Sequence, residues 1–394
     1  MKVTKYYCVL ASLEHGNGAK TGSDAARGRL ARIDTPTYTS NVCQITSRGL
    51  LNKDIHIKMS EKVTVAIFGL GRIGQIHLWN LLSNNQIRLK WIVEANTEHA
   101  TFLLEERRVS RDIKVCGLSD LQTVLDDNSV QAVLICTPTD THASLTIRAL
   151  EAGKNVFCEK PLSEDTEEIR KCYDVAEQHG KVLMCAFNRH FDPAIRDIYQ
   201  RVQKGELGKL HVIKCTFRDR PLWLGAHGLS QTFLVHDIDL SCWFAQGLPE
   251  TVVCQASSNI KEVGEKNDVD TVAVILRFPS GTLAIIDFCR YSSYGYDVRW
   301  RYVYGEKGVL MADIPQTSTV KALTREGRRE APFCETFSDR FEEAYRAELD
   351  HFIKAMQGHP MEVKRIYSER VGIVTDAINE SYRTGQVVYL NREK

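Results

Sequence analysis

Val63-Thr64-Val65-Ala66-Ile67-Phe68-Gly69-Leu70-Gly71-Arg72-Ile73-Gly74 is the stretch on which the fold of this chain turns. A β-branched apolar run leads straight into G-x-G-x-x-G, and a helical pattern follows over 73–83. Glycines in this order suit a dinucleotide. The first makes the tight turn, the second lets backbone approach a pyrophosphate, and the third permits close helix packing. The phosphates then face unpaired N–H groups at the helix start. Twenty residues beyond Gly74, at the end of the next strand-like run, stands Glu94. A carboxylate there accepts from ribose hydroxyls and repels a 2′-phosphate, which favours NAD over NADP. Gly69, Gly71, Arg72, Ile73, Gly74 and Glu94 are the first candidate cofactor contacts.

Working outward, β-branched runs at 63–70, 90–95, 132–137, 155–158 and 182–187 alternate with helical stretches at 73–83, 99–107, 141–152 and 165–179. That rhythm predicts a doubly wound parallel sheet, here over 61–186. From 187 to 394 the rhythm changes. A helix at 194–204, a strand at 211–217 and a helix at 236–246 precede longer alternating strands. Pro279-Ser280-Gly281 between 270–278 and 282–289 reads as one hairpin turn, and Glu306-Lys307-Gly308 between 299–304 and 309–313 as another. Helices at 339–356 and 369–384 complete an α+β domain with an open, mainly antiparallel sheet. Residues 1–60 are rich in Ser, Thr, Gly and Arg with no sustained period, so a poorly ordered extension is expected. Its basic bias resembles a transit peptide, but Glu14, Asp24, Asp34 and Asp54 speak against organelle targeting.

The chain has 394 residues and is 43% hydrophobic, enough for two cores. Its 51 Lys and Arg balance 50 Asp and Glu, for a net charge of +1. No broad basic surface is implied, and no nucleic-acid partner is expected. No apolar run reaches the roughly 18 residues of a membrane span, so no membrane association is expected either. The 12 cysteines are scattered, without C-x-x-C pairs. They suit reduced thiols in a cytoplasmic chain, with Cys136 and Cys158 in the core, and no metal site is indicated.

Further motifs carry a resemblance. Thr137-Pro138-Thr139-Asp140-Thr141-His142, Ala149-Leu150-Glu151-Ala152-Gly153-Lys154 and Glu159-Lys160-Pro161-Leu162 resemble, in succession, the marks of the Gfo/Idh/MocA oxidoreductases. Phe187-Asn188-Arg189-His190-Phe191-Asp192, Arg218-Asp219, His236-Asp237-Ile238-Asp239, and Tyr345 with Glu348, Leu349 and Phe352 agree. The resemblance runs over residues 62–390 and is strongest to inositol 2-dehydrogenases. It implies an α/β Rossmann domain followed by a substrate-binding and self-association domain, as a homo-oligomer, dimer or tetramer. It also implies NAD-dependent transfer of a hydride from a secondary alcohol of a cyclic polyol or sugar. Lys160 would point its ammonium at the reacting hydroxyl, and His236 would take the proton. Thr137, Pro138, His142, Glu159 and Lys160 would join the cofactor contacts. Asn188, Arg218 and Thr232 would join Lys160 and His236 around substrate. No metal is needed for such a transfer.

The residues support the two catalytic assignments on their own chemistry. A lysine just past the C-terminal end of a parallel strand stands where ligands bind in such sheets, and a histidine titrates near neutrality. Each has a plainer reading: a solvated strand-end lysine, and a core histidine among Leu234, Val235 and Ile238. The sequence also departs from the inositol dehydrogenase pattern. Thr232, four residues before His236, stands where an aspartate is expected, and His227-Gly228-Leu229-Ser230 replaces a Gly-Gly segment. An uncharged threonine neither pairs with Lys160 nor raises the basicity of His236. His190 stands for an arginine and Ser368-Glu369 for Asp-Gly, and His190, Arg218 and Asp219 are candidates to line the pocket. A catalytically weakened dinucleotide-binding sensor of the same fold is therefore the second reading, and an oxidoreductase for another substrate the third.

Overall fold

The computed structural model describes residues 62–109, 112–218, 234–290, 297–312, 316–318, 320–334 and 336–390. The expected extension over 1–60, Asp219 and Thr232 lie outside the described residues.

Six parallel strands form the first sheet: β1 (Val63–Phe68), β2 (Ile87–Val93), β3 (Lys114–Cys116), β4 (Ala132–Ile135), β5 (Asn155–Glu159) and β6 (Leu183–Ala186). Their order is β3-β2-β1-β4-β5-β6. β4 and β6 are buried at every position, as strands covered on both faces must be. The connecting helices are α1 (Arg72–Ser83), α2 (Thr97–Glu106), α3 (Leu121–Leu125), α4 (His142–Glu151) and α5 (Thr166–Gln178). Local chemistry starts two of them: Asn96 accepts from the N–H of His99, and Asp165 from those of Glu167 and Glu168. The strand order reverses between β1 and β4. In such sheets ligands bind in the crevice outside the carboxyl ends of those strands. The short β3 escapes the sequence pattern because three residues cannot show an alternation.

The second sheet contains β7 (Leu210–Arg218), β8 (Thr251–Ser257), β9 (Thr271–Arg277), β10 (Leu283–Cys289), β11 (Asp297–Gly305) and β12 (Gly308–Leu310). Beyond a separate hairpin of β13 (Lys321–Thr324) and β14 (Gly327–Glu330), β15 (Val388–Tyr389) completes its edge. The order is β12-β11-β7-β10-β9-β8-β15, antiparallel throughout except where β7 meets β10. Both hairpins expected from the sequence form. Alternation sorts the faces: Val272, Val274 and Leu276 of β9 and Ala284, Ile286 and Phe288 of β10 are buried, whereas Ile275 between them stays 46% exposed.

Helices α6 (Pro193–Gln203), α7 (Val235–Ala245), α8 (Lys261–Gly264), α9 (Phe337–Arg340), α10 (Glu342–Met356) and α11 (Arg365–Thr384) accompany this sheet. Cys215 of β7 meets Ser241 of α7, and the Cys254 N–H of β8 donates to Ser381 of α11, which puts both helices on the buried face. α10 reaches back to the first sheet: Tyr345 lies edge-on to His77 of α1, and Phe352 edge-on to Phe157 of β5. Among the described residues no helix is long and apolar enough to cross a membrane.

Candidate active site

The three glycines after β1 have three different surroundings. Gly69 has φ +87°, and a Cβ there would lie 2.7 Å from the Cys136 carbonyl oxygen. A Cβ on Gly74 would lie 2.2 Å from the Gly69 oxygen, so the third glycine is needed for close packing. A Cβ on Gly71 would meet nothing within 4 Å among the described residues. The second glycine therefore faces open space at the start of α1, whose first turn has no side-chain cap and no acidic residue. Four helix N–H groups beside an open, glycine-floored gap fit a pyrophosphate. Glu94 stands at the tip of β2, where one carboxylate oxygen accepts from the Leu70 N–H at 2.5 Å and the other from the Asn96 N–H at 3.0 Å. It is thus fixed against the glycine loop with oxygens still able to accept. Arg72 opens α1 with its guanidinium over the Phe337 ring of α9, 5.0 Å from the centroid, and Ile73 packs on the core.

Two turns continue the crevice. After β4, the hydroxyls of Thr137 and Thr141 lie 2.7 Å apart, and Thr141 donates to the Pro138 carbonyl at 2.7 Å. After β5 comes Lys160, joined to Pro161 by a cis peptide. Buried His142 ties the turns together, with its ring nitrogens 2.8 Å from the Thr137 carbonyl oxygen and 2.7 Å from that of Pro161. Both nitrogens are committed to backbone, so what His142 gives the crevice is the position of two turns. Glu159 is likewise committed. It is buried, contacts His77 at 2.8 Å, and accepts from the Lys160 N–H at 3.2 Å.

α7 supplies the other side. It is buried along nearly its whole length, Asp237 and Asp239 included. Carboxylates in such a place need partners. Arg189, itself fully buried, contacts Asp237 at 2.6 Å, and His190 contacts Asp239 at 2.7 Å while stacking on Trp243. Both partners come from the turn after β6, so an ion pair and a hydrogen bond fix the start of α7 and hence His236. Burial, the charges of Arg189 and Lys160, and His190 hold the His236 imidazole well below its ordinary range. Burial also lowers Lys160 below the usual amine value, Glu159 opposing and Arg189 adding to the effect. An unprotonated imidazole in the field of an ammonium can accept a proton from an alcohol while the ammonium steadies the oxygen left behind.

His190, Arg218 and Asn188 have different surroundings. His190 is buried between Asp239 and the Trp243 ring, so what it supports directly is α7. Arg218 is drawn to the neighbouring strand: its guanidinium contacts the Asp287 carboxylate at 2.5 Å and donates to the Asp287 and Phe217 carbonyls at 2.8 and 2.9 Å. It projects from the open face of the sheet, opposite buried Phe217, so its guanidinium pairs β7 with β10. Alternation along β7 decides this, although Arg218-Asp219 resembles the family mark. Asn188 is buried at the head of the turn that carries Arg189. The sequence reading left Arg189, His77 and Glu348 out of the site. The signal for Arg189 was available, since two aspartates in an apolar helix demand a partner.

A doubly wound sheet with an open glycine cradle, an acid at the next strand tip and a lysine–histidine pair defines a two-domain dinucleotide-binding oxidoreductase. Residues 63–187 match the model of an oxidoreductase family with an NAD-binding Rossmann fold, and residues 195–311 that of the GFO/IDH/MocA C-terminal domain. The chain is 34% identical over 303 residues to a myo-inositol 2-dehydrogenase of Thermotoga maritima, covering 75% of this chain and 89% of that protein. It is 29% identical over 343 residues to a scyllo-inositol 2-dehydrogenase (NAD(+)) of Bacillus subtilis, covering 84% and 98%. The crystal structure of a myo-inositol dehydrogenase of Corynebacterium glutamicum superposes with a TM-score of 0.76 at 30% identity, covering 84% of this chain and 99% of that one. The chain belongs to the Gfo/Idh/MocA oxidoreductase family.

Proposed function

We propose that this protein oxidises a secondary alcohol of an inositol, or of a closely related cyclic polyol, with NAD. The observation that carries the reading is His236 at the buried start of α7, its imidazole held below its ordinary range by burial and by the charges of Arg189 and Lys160, in a chain with an NAD-binding sheet. The inositol dehydrogenase relatives support the substrate class. The cradle of Gly69, Gly71 and Gly74 with the α1 N-terminus would hold the pyrophosphate, Glu94 the ribose hydroxyls, and the Thr137-Pro138 turn would line the same crevice. Bound NAD supplies the hydride acceptor. Lys160 donates a hydrogen bond to the reacting oxygen, and His236 takes its proton. His142 and Glu159 act through the turns they hold. Asn188, and Thr232 from the segment ahead of α7, remain candidate substrate contacts.

The division of labour follows the same line, with 61–186 for cofactor and 187–394 for substrate and self-association. Ile275 and Tyr304, both at least 40% exposed on the open sheet face, support a homo-oligomer built on that face. Eight buried or part-buried cysteines among the described residues, Cys136, Cys158 and Cys185 included, are free thiols, which supports a reducing, cytoplasmic setting.

The test is NAD reduction by the purified full chain across inositol isomers and sugars, followed over pH, with Lys160→Met alongside. A lowered His236 is unprotonated well below pH 6.5, so activity should hold through neutrality and fall only in more acid solution. A lowered Lys160 places the alkaline fall below pH 10.5. Lys160→Met should keep NAD binding and lose about 10²–10⁴-fold in kcat. Absence of turnover on every polyol with NAD bound would overturn the substrate and the chemistry together.

A further inference from the structure

Beneath the crevice lies a group of ionisable side chains that the hydride-transfer scheme does not use. His77 comes from α1, one turn past the glycine cradle. Glu159 closes β5, immediately before Lys160. Glu348 comes from α10 of the second domain. All three are buried, and one ligand atom from each lies within 4.8 Å of those of the other two. Glu159 is fully engaged, by His77 at 2.8 Å and by the Lys160 N–H at 3.2 Å. Glu348 is 0% exposed, and among the described residues neither of its oxygens has a hydrogen-bond partner.

Two carboxylates buried this close cannot both be ionised at ordinary cost, and only one of them has donors to hold a negative charge. We propose that Glu348 keeps its proton, so that Glu159, clamped by His77, carries the single negative charge that positions Lys160. The groups facing Glu348 set the direction: burial and the charge of Glu159 both push its carboxyl well above the usual range. The groups facing Lys160 are Glu159, which favours its ammonium, Arg189 and Arg72, which oppose it, and the Cys185 thiol. The Cys136, Cys158 and Cys185 thiols around Glu159 are pushed up by burial and stay neutral. Glu159 is therefore the favourable charge beside an amine otherwise pressed by two guanidinium groups, and α10 of the second domain controls whether it stands alone. Glu159 and Glu348 act in this scheme as positioning residues, through Lys160. The inference rests on Lys160 acting as proposed above, but its first test does not.

That test is infrared difference spectroscopy at neutral pH on the full chain against Glu348→Gln. The wild type should show a protonated carboxyl band that the variant lacks, whether or not the protein turns over any polyol. Absence of that band, or a stoichiometric divalent metal in the purified protein, overturns the assignment. The second test is the pH profile of kcat/KM. Glu348→Gln replaces one neutral group by another, so its alkaline limb should stay in place with kcat within about threefold of wild type. Glu159→Gln should move that limb to lower pH by about one unit or more, the size of effect one neighbouring opposite charge exerts, with NAD affinity unchanged. An alkaline limb unmoved in Glu159→Gln overturns the role of its charge. Should that variant not fold, Glu348→Gln alone decides, because a limb that moves to lower pH there means that Glu348 was ionised beside Glu159 and overturns the assignment.

Discussion

Gly69, Gly71 and Gly74 are identical letters with separable jobs, and substitution should separate them. Gly71→Ala adds a methyl where nothing among the described residues lies within 4 Å, so the apoprotein should melt as the wild type does. The same methyl stands in the gap meant for the pyrophosphate, and Kd for NAD should rise about tenfold or more, roughly 1.4 kcal/mol. Gly69→Ala should instead lose about 1–3 kcal/mol of stability, since φ +87° and the Cys136 carbonyl oppose a side chain. Calorimetry with a cofactor titration reads both. Equal effects of the two changes on folding would contradict the assignment. At this scale the sequence was informative wherever chemistry is local: the glycines, Glu94 and Lys160 all lie at strand ends marked by their neighbours. Arg189 with Asp237 and His77 with Glu159 were illegible as pairs, because each joins elements far apart in the chain. Arg218 with Asp287 was illegible for a related reason, since the face of a strand decides its partner.

At the level of elements, α7 shows why burial hides a helix's purpose. It is apolar nearly all round, so no amphipathic stripe announces which side faces the site. Asp237 and Asp239 orient it instead, through Arg189 and His190. Arg189→Met leaves Asp237 buried without its counter-charge, and should cost about 3–5 kcal/mol in urea unfolding. Arg189→Met with Asp237→Asn should recover part of that loss. A single variant as stable as the wild type would show that the pair does not hold the helix. The parallel strands were legible because each is a short apolar run between helical ones. β3 and the β13–β14 hairpin were not: the first is too brief, and the second is exposed throughout, so neither imposes a pattern of burial.

Across the whole molecule, α10 is the feature that joins the two sheets, stacking its aromatic face on α1 and β5 while it belongs in sequence to the second domain. The open sheet face is the other large-scale feature. Ile275→Asp, placed on that face, should shift the oligomer toward monomer in light scattering while leaving the melting temperature of the monomer intact. A wild-type chain that is already monomeric would contradict self-association there. Hydride transfer itself is read most directly with an inositol carrying deuterium on the oxidised carbon, incubated with NAD and the full chain. Deuterium should appear in the reduced nicotinamide, with transfer falling at least about 100-fold in Lys160→Met and His236→Ala. Label that stays in the polyol, or transfer indifferent to both substitutions, would contradict the site.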